Sequence, residues 1–259
     1  MEHPDECTRL AMKTKADKVL NQAVWAGIAE GMHVLDAGCG VGKTTSILKE
    51  LVGDTGSVTG LDSSPQRLQE ARKLYGREGV KFVEHDLRDP FEPEEVYDAV
   101  WMRFFLEYFL NDPLSIVRHA ISRLKPGGLL VLVDLDKIAM SPYSARFDKT
   151  IQEVMDCLEH NRNFDPYAGR RLYGHMIDLG MQEVRVEMEP HHLIYGDIDE
   201  INLYNWIAKA EVAGKTSGCD FKEYGGDFTA LLEDFRTFLN DPRRFIFTPM
   251  ILCRGIKPE

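Results

Sequence analysis

An α/β fold, doubly wound around a mostly parallel seven-stranded sheet with a helical insert before the last strand, is what this sequence predicts. Three observations predict it. Short apolar runs alternate with stretches of helical spacing between 33 and 134; a glycine-rich turn, DAGCGVG, follows the first run; and beyond 136 two helical excursions interrupt the closing strands. Strands alternating with helices at this spacing argue for βαβ units and a parallel sheet. The 259 residues suffice for one large domain, 1–259, and would be a squeeze for two.

The elements follow in order. Ala16, Val19, Leu20, Ala23 and Val24 recur at helical spacing and predict a leading amphipathic helix over 14–29. His33–Ala37 reads as a buried strand, Lys43–Val52 as a helix with Ile47, Leu48 and Leu51 inward, and 57–61 as the second strand. Ser64-Pro65 supplies an N-cap and a first-turn proline for a helix that Gly76 stops. Val80–Glu84 and 97–102 give strands three and four, and Asp112-Pro113 opens a helix to about 124. Pro126-Gly127-Gly128 reads as a turn before 129–134, a continuous apolar run suited to a central strand covered on both faces. Helices over 143–160 and 168–179, then strands over 182–188 and 245–253, complete the pattern. The insert between those strands has helical spacing over 198–212 and 228–239, so segments 139–170 and 196–244 are predicted to cover the open end of the sheet.

Composition narrows the partners. A net charge of −11 opposes a polyanion over the Debye length, and no Lys/Arg-rich run offers a segregated basic patch. Neither nucleic acid nor an anionic membrane surface is expected, and no apolar run approaches the roughly 20 residues of a membrane span. The start, MEHPDECTRL, lacks the basic and apolar regions of a secretory signal and is too acidic for a typical transit peptide, which predicts a cytoplasmic protein. Cys7, Cys39, Cys157, Cys219 and Cys253 have no CxxC spacing, so neither a zinc cluster nor a disulfide framework is expected. His191-His192 is rejected as a metal pair because neighbours in an extended segment point opposite ways. No metal is predicted, and no motif fixes an oligomeric state.

The stretch VLDAGCGVGKTT admits rival readings. Ala37 to Thr44 fits a relaxed phosphate-binding loop, with 130–134 (LVLVD) as the strand ending in a magnesium-binding aspartate. Against it, Asp36, Asp62 and Asp86 follow or end three strands, and in such sheets ligands bind at the strands' carboxyl ends. Like charges about 4 Å apart repel by roughly 1 to 4 kcal/mol at effective dielectrics of about 80 to 20. A dinucleotide fingerprint would require glycine at Lys43. A ligand with hydroxyls, an exocyclic amine and a positive sulfonium suits an acidic rim better.

The ordered motifs VLDAGCGVG (34–42), GLDSSPQRLQEAR (60–72), FVEHDLRD (82–89), YDAVWMRFFLEYFLND (97–112) and LKPGGLLVLVD (124–134) resemble those of class I S-adenosylmethionine-dependent methyltransferases, in the branch acting on quinones, sterols and other small molecules. The resemblance covers roughly the first half of the chain and implies a Rossmann-like fold. It implies that Gly38, Gly40 and Gly42 let backbone approach the cofactor, a role for residues lacking Cβ. It further implies that Asp62 binds the ribose hydroxyls, Asp86 the adenine amine and the Leu87 amide the ring nitrogen, with Asp36 around the methionine portion and Arg103 at that end or facing the acceptor. Ser63 is a weaker cofactor candidate, since Ser-Ser-Pro also explains itself as helix capping. Arg103, Tyr108 and His175 are the candidate catalytic residues, His175 as a general base. Glu107 shares the segment after the fourth strand, and Asp134 ends the fifth, where a turn role serves equally.

The segment after the fourth strand lacks the Asn/Asp-Pro-Pro-aromatic signature of amine methylation on nucleobases and glutamine, and has no cysteine for attack on cytosine. Methyl transfer to a small-molecule acceptor is therefore the expected function. The alternatives are a catalytically silent binder of the same cofactor and an NAD(P)-dependent oxidoreductase.

Overall fold

The structure, a computed structural model, describes residues 15–92 and 94–259; Cys7 and the N-terminal MEHPDECTRL lie outside the described residues. The chain runs α1 (Ala16–Ala26), β1 (His33–Ala37), α2 (Lys43–Val52), β2 (Ser57–Asp62), α3 (Pro65–Tyr75), β3 (Val80–Glu84), β4 (Tyr97–Arg103), α4 (Pro113–Ala120) and β5 (Leu124–Leu135). It continues with β6 (Ala139–Met140), α5 (Ala145–Arg162), α6 (Ala168–Asp178), β7 (Gln182–Ile194), α7 (Glu200–Ser217), α8 (Phe228–Asn240) and β8 (Ile246–Ile256).

Strands β3, β2, β1, β4 and β5 lie side by side and parallel, and antiparallel β8 sits between β5 and β7. The eighth strand, one more than the sequence predicts, is the two-residue β6. Leu135 pairs with Met250 and Ala139 with Phe247, so β6 resumes the track of β5 along β8 after a short break.

Alternation along each strand sends successive side chains to opposite faces. Val34, Val58, Ala99, Trp101 and Val131 pack beneath α1 and α2, whereas Leu35, Val100, Met102, Leu130 and Leu132 meet Ile116 and Val117 of α4 and Leu172 and Met176 of α6. Both faces are covered, which explains strands that read as unbroken apolar runs. A third cluster joins α5, α7 and α8 around Phe147, Phe235 and Phe238, with ring centroids 5.4 to 6.3 Å apart. Segments 139–170 and 196–244 thus meet in one aromatic core.

Two boundaries differ from expectation. Pro126-Gly127-Gly128 lies inside β5, because the Gly127 amide donates to Lys257 O (2.9 Å) and the Lys257 amide to Gly128 O (2.9 Å). Strand β7 continues to Ile194, with a register shift between Pro190 and His192. That irregularity brings the His191 and His192 rings to 4.2 Å, where straight extended backbone would have parted them. His191 packs edge-on to Phe104 (5.0 Å) and His192 to Trp206 (4.9 Å). Among the described residues no group of three or more His, Cys, Asp or Glu is placed to hold a metal ion, and no helix is long and apolar enough to cross a membrane.

Candidate active site

The carboxyl ends of β1, β2, β4 and β5 bring Asp36, Asp62, Arg103 and Asp134 to one edge of the sheet, where ligands of open α/β sheets bind. The loop leaving β1 takes left-handed backbone at Gly38 (φ 82°), Gly40 (φ 54°) and Gly42 (φ 80°), after which α2 begins. The amides of Gly38 and Cys39 donate to Leu61 O at 2.7 and 2.9 Å, fastening the loop to β2.

The three glycines serve different ends. A Cβ on Gly38 would strike the ring of Phe105, and one on Gly42 would lie 2.8 Å from the ring of Phe82. Only at Gly40 would it project into open space. Close packing inside the protein accounts for the outer two glycines, and the half-buried Gly40 alone of the three borders open space.

Asp62 is 6% exposed and held at both oxygens: the Gly40 amide donates to Oδ2 (2.9 Å), the Ser64 amide donates to Oδ1 (2.9 Å), and Arg67 stands 3.8 Å away. A carboxylate so fixed beside a left-handed glycine retains lone pairs for hydroxyl donors. The capping role falls to Ser64, whose hydroxyl accepts from the Arg67 amide (3.4 Å), while Ser63 is exposed.

Asp36 is buried, with Thr45 Oγ1 donating to it at 2.6 Å. Burial pushes its carboxyl up to about 7 against the Thr45 hydrogen bond and the Arg103 charge, and Asp62 adds to the rise. The helix that the rival reading assigns to phosphate thus sends its second threonine back to Asp36. Arg103 is half-buried, and burial lowers it to about 10 against the opposing pull of Asp36, Asp134 and Glu189. Its guanidinium carbon lies 3.9 Å from the centre of the Phe104 ring, and its Nε is buried without a hydrogen-bond partner.

Asp86 and Leu87 follow β3. Arg88 Nε donates to both Asp86 oxygens at 3.0 Å, holding that carboxyl below its ordinary range, so its acceptors face its own turn. Leu87 is buried, and its carbonyl is 2.8 Å from His119 Nδ1.

The three candidate catalytic residues sit in different surroundings. Tyr108 is 43% exposed, its ring 6.0 Å from that of Phe164. His175 lies on α6 among Asp178, Asp165 and Arg171, because Leu172 and Met176 take the sheet-facing side of that helix. Burial lowers its pKa, partly offset by the two aspartates. Of these three, Arg103 alone acts on Asp36 through its charge. Sequence reasoning missed Thr45 and Glu189, and gave Asp134 and Glu107 no joint part. Asp134 and Glu107 are buried neighbours, and burial pushes Glu107 up to about 7 against Tyr108 and Lys209. Glu189 arrives through strand register, which leaves no local signal.

Residues 35–132 match the family described as a methyltransferase domain. Over 131 residues the chain is 33% identical to the demethylmenaquinone methyltransferase of Staphylococcus aureus, covering 50% of this chain and 54% of that one. Over 127 residues it is 36% identical to the chloroplastic 2-phytyl-1,4-beta-naphthoquinone methyltransferase of Arabidopsis thaliana, covering 45% and 47%. The chain spans about half the length of these curated relatives. Among solved structures, the YcgJ protein of Bacillus subtilis superposes with a TM-score of 0.59 at 18% identity, covering 94% of this chain and 99% of that one. Phosphoethanolamine N-methyltransferase 2 of Haemonchus contortus, in complex with phosphomonomethylethanolamine and S-adenosylhomocysteine, does so at 0.55 and 18%, covering 94% and 53%. At such identities the likeness is one of fold. The matched residues, 35–132, span most of the stretch from β1 to β5 and include Asp36, Asp62 and Arg103, so this part of the chain is similar to a methyltransferase domain.

Proposed function

We propose that this protein transfers a methyl group from S-adenosylmethionine to a small-molecule acceptor, with 1–259 acting as one catalytic unit and 139–170 and 196–244 as its cover. The observation that carries the reading is the pairing of Gly40, whose missing side chain faces open space, with a buried Asp62 fixed by the Gly40 amide. When bound, the cofactor supplies a methyl group already activated on a sulfonium sulfur.

The chain's own residues then divide the work. Asp62 accepts from the ribose hydroxyls. Asp86, once it turns from Arg88, accepts from the adenine amine, and the Leu87 amide serves the ring nitrogen. Asp36 in its ionised form balances positive charge on the methionine portion, and the unpaired Arg103 Nε serves the carboxylate there or the acceptor. Orientation of an acceptor towards a fixed methyl donor is worth up to roughly 7 to 11 kcal/mol in intramolecular models. A cover that excludes water strengthens every charge interaction beneath it.

Small-molecule acceptors are supported by the two quinone-acting relatives and by a net charge of −11, which disfavours nucleic acid. The four described cysteines carry free thiols, which suits a reducing, cytoplasmic setting.

Calorimetry tests the reading. S-adenosylmethionine binds the wild-type protein, and Asp62→Ala weakens binding at least about tenfold, the scale of losing hydrogen bonds to a charged group. No binding at millimolar cofactor, or affinity indifferent to Asp62→Ala, counts against it. Methyl-labelled cofactor incubated with fractionated extract of the source organism then identifies the acceptor by its label.

A further inference from the structure

The turn after β4 is held in an unfavourable shape. Phe104 has φ 55°, left-handed backbone that a residue with a Cβ adopts only when its surroundings impose it. What imposes it is the end of β5. The Phe104 amide donates to Val133 O (2.8 Å), and the amides of Phe105 and Glu107 converge on Asp134 Oδ2 at 3.2 and 3.1 Å. Asp134 Oδ1 accepts from the Leu135 amide (2.9 Å), and the carboxyl is 1% exposed.

Two side chains depend on that shape. On one side of the strained residue the Phe105 ring lies on Gly38, closing over the first glycine of the cofactor loop. On the other side Arg103 stacks on Phe104 and feels the charges of both Asp36 and Asp134. Buried polar groups that gather three backbone donors on one carboxyl fix geometry with little freedom.

We propose that Asp134 is a positioning residue for methyl transfer: by clamping the turn 104–107 it holds the Phe105 ring against Gly38 and Arg103 over Phe104. The inference rests on the methyltransferase reading above. It assigns Asp134 no contact with the methyl group; its effect passes through Phe105 and Arg103.

S-adenosylhomocysteine binding, measured by calorimetry on the full chain, tests it. Asp134→Ala weakens binding about tenfold or more, because the Phe105 and Glu107 amides lose the acceptor on which they converge. Asp134→Asn, which keeps one oxygen for the converging amides, stays within about threefold of wild type. Phe105→Ala weakens binding too, and adding Asp134→Ala to it weakens binding by less than the product of the single effects, as coupled residues require. A role in folding alone would lower the melting temperature and leave the cycle multiplicative. Wild-type affinity in Asp134→Ala, a multiplicative cycle, or Asp134→Asn as weak as Asp134→Ala would each overturn the clamp. If Asp134→Ala does not fold, Asp134→Asn and Phe105→Ala decide: weak Asn binding or unchanged Phe105→Ala binding overturns it. Absence of binding by the wild-type protein would instead bring down the cofactor reading on which the inference stands.

Discussion

In the proposed function, Asp36 carries the charge that balances a cationic ligand. Its carboxyl is pushed up to about 7, chiefly by burial, so the negative form gains population as pH rises from 6 to 8. S-adenosylmethionine affinity should strengthen over that interval, and Asp36→Asn should remove the dependence; titration calorimetry at three pH values checks both. The same shift has the opposite sign for stability. A carboxyl with a raised folded-state pKa keeps its proton after the unfolded chain has lost it, so its contribution is full below the unfolded value and falls until the folded value is passed. For Asp36 that window runs from 3.8 to about 7, and for Glu107 from 4.5 to about 7. Urea midpoints should therefore decline less across pH 4.5 to 7 in Glu107→Gln than in the wild type. The glycines separate similarly. Gly38→Ala combines left-handed strain of roughly 1 to 2 kcal/mol with a collision against Phe105, whereas Gly40→Ala bears the strain alone and projects into open space. Thermal melts should show the larger loss for Gly38→Ala, and Gly40→Ala should weaken cofactor binding beyond what its melt explains. The alternating glycines and Asp62 are legible in sequence because their chemistry lies within one turn of chain. That Phe105 and Phe82 explain two of those glycines is not, since one ring arrives from the turn after β4 and the other from β3.

At the scale of elements, termini were legible where capping chemistry marks them. Ser64 starts α3 and Asp112 starts α4, each accepting from an amide three residues on. Helix α8 has a double cap, with Asp227 Oδ1 accepting from the Thr229 (2.8 Å) and Ala230 (3.2 Å) amides. Asp227→Ala should cost about 1 kcal/mol in chemical denaturation. Strand limits were less legible, because what extends them is pairing. Pro190 suggests an end to β7, yet edge strands tolerate proline and the chain resumes register with Thr248. Pro126-Gly127-Gly128 suggests a turn, yet Lys257 supplies its hydrogen bonds from the far side of β8. Cys157 and Cys219 carry no spacing signal, yet α5 and the end of α7 bring their thiols into hydrogen-bonding contact.

For the whole molecule, the sheet and the helices α5, α7 and α8 have separate apolar centres. Phe238 is almost wholly enclosed by Tyr143, Phe147 and Phe235. Phe238→Ala should cost about 3 to 5 kcal/mol, the usual range for a buried phenylalanine, with limited proteolysis appearing first within 196–244. That the sheet is mostly parallel was legible from alternation alone; its strand order was not. The position of β8 was not, since antiparallel insertion between β5 and β7 leaves no periodic mark. It also bears on biogenesis. Every other described strand leaves the ribosome before β8 does, so β5 and β7 must wait with bare hydrogen-bonding edges for a partner synthesised after both. Nascent chains halted near residue 245 should accordingly recruit holdase chaperones and resist dissociation from them, until the missing hairpin of backbone bonds is supplied.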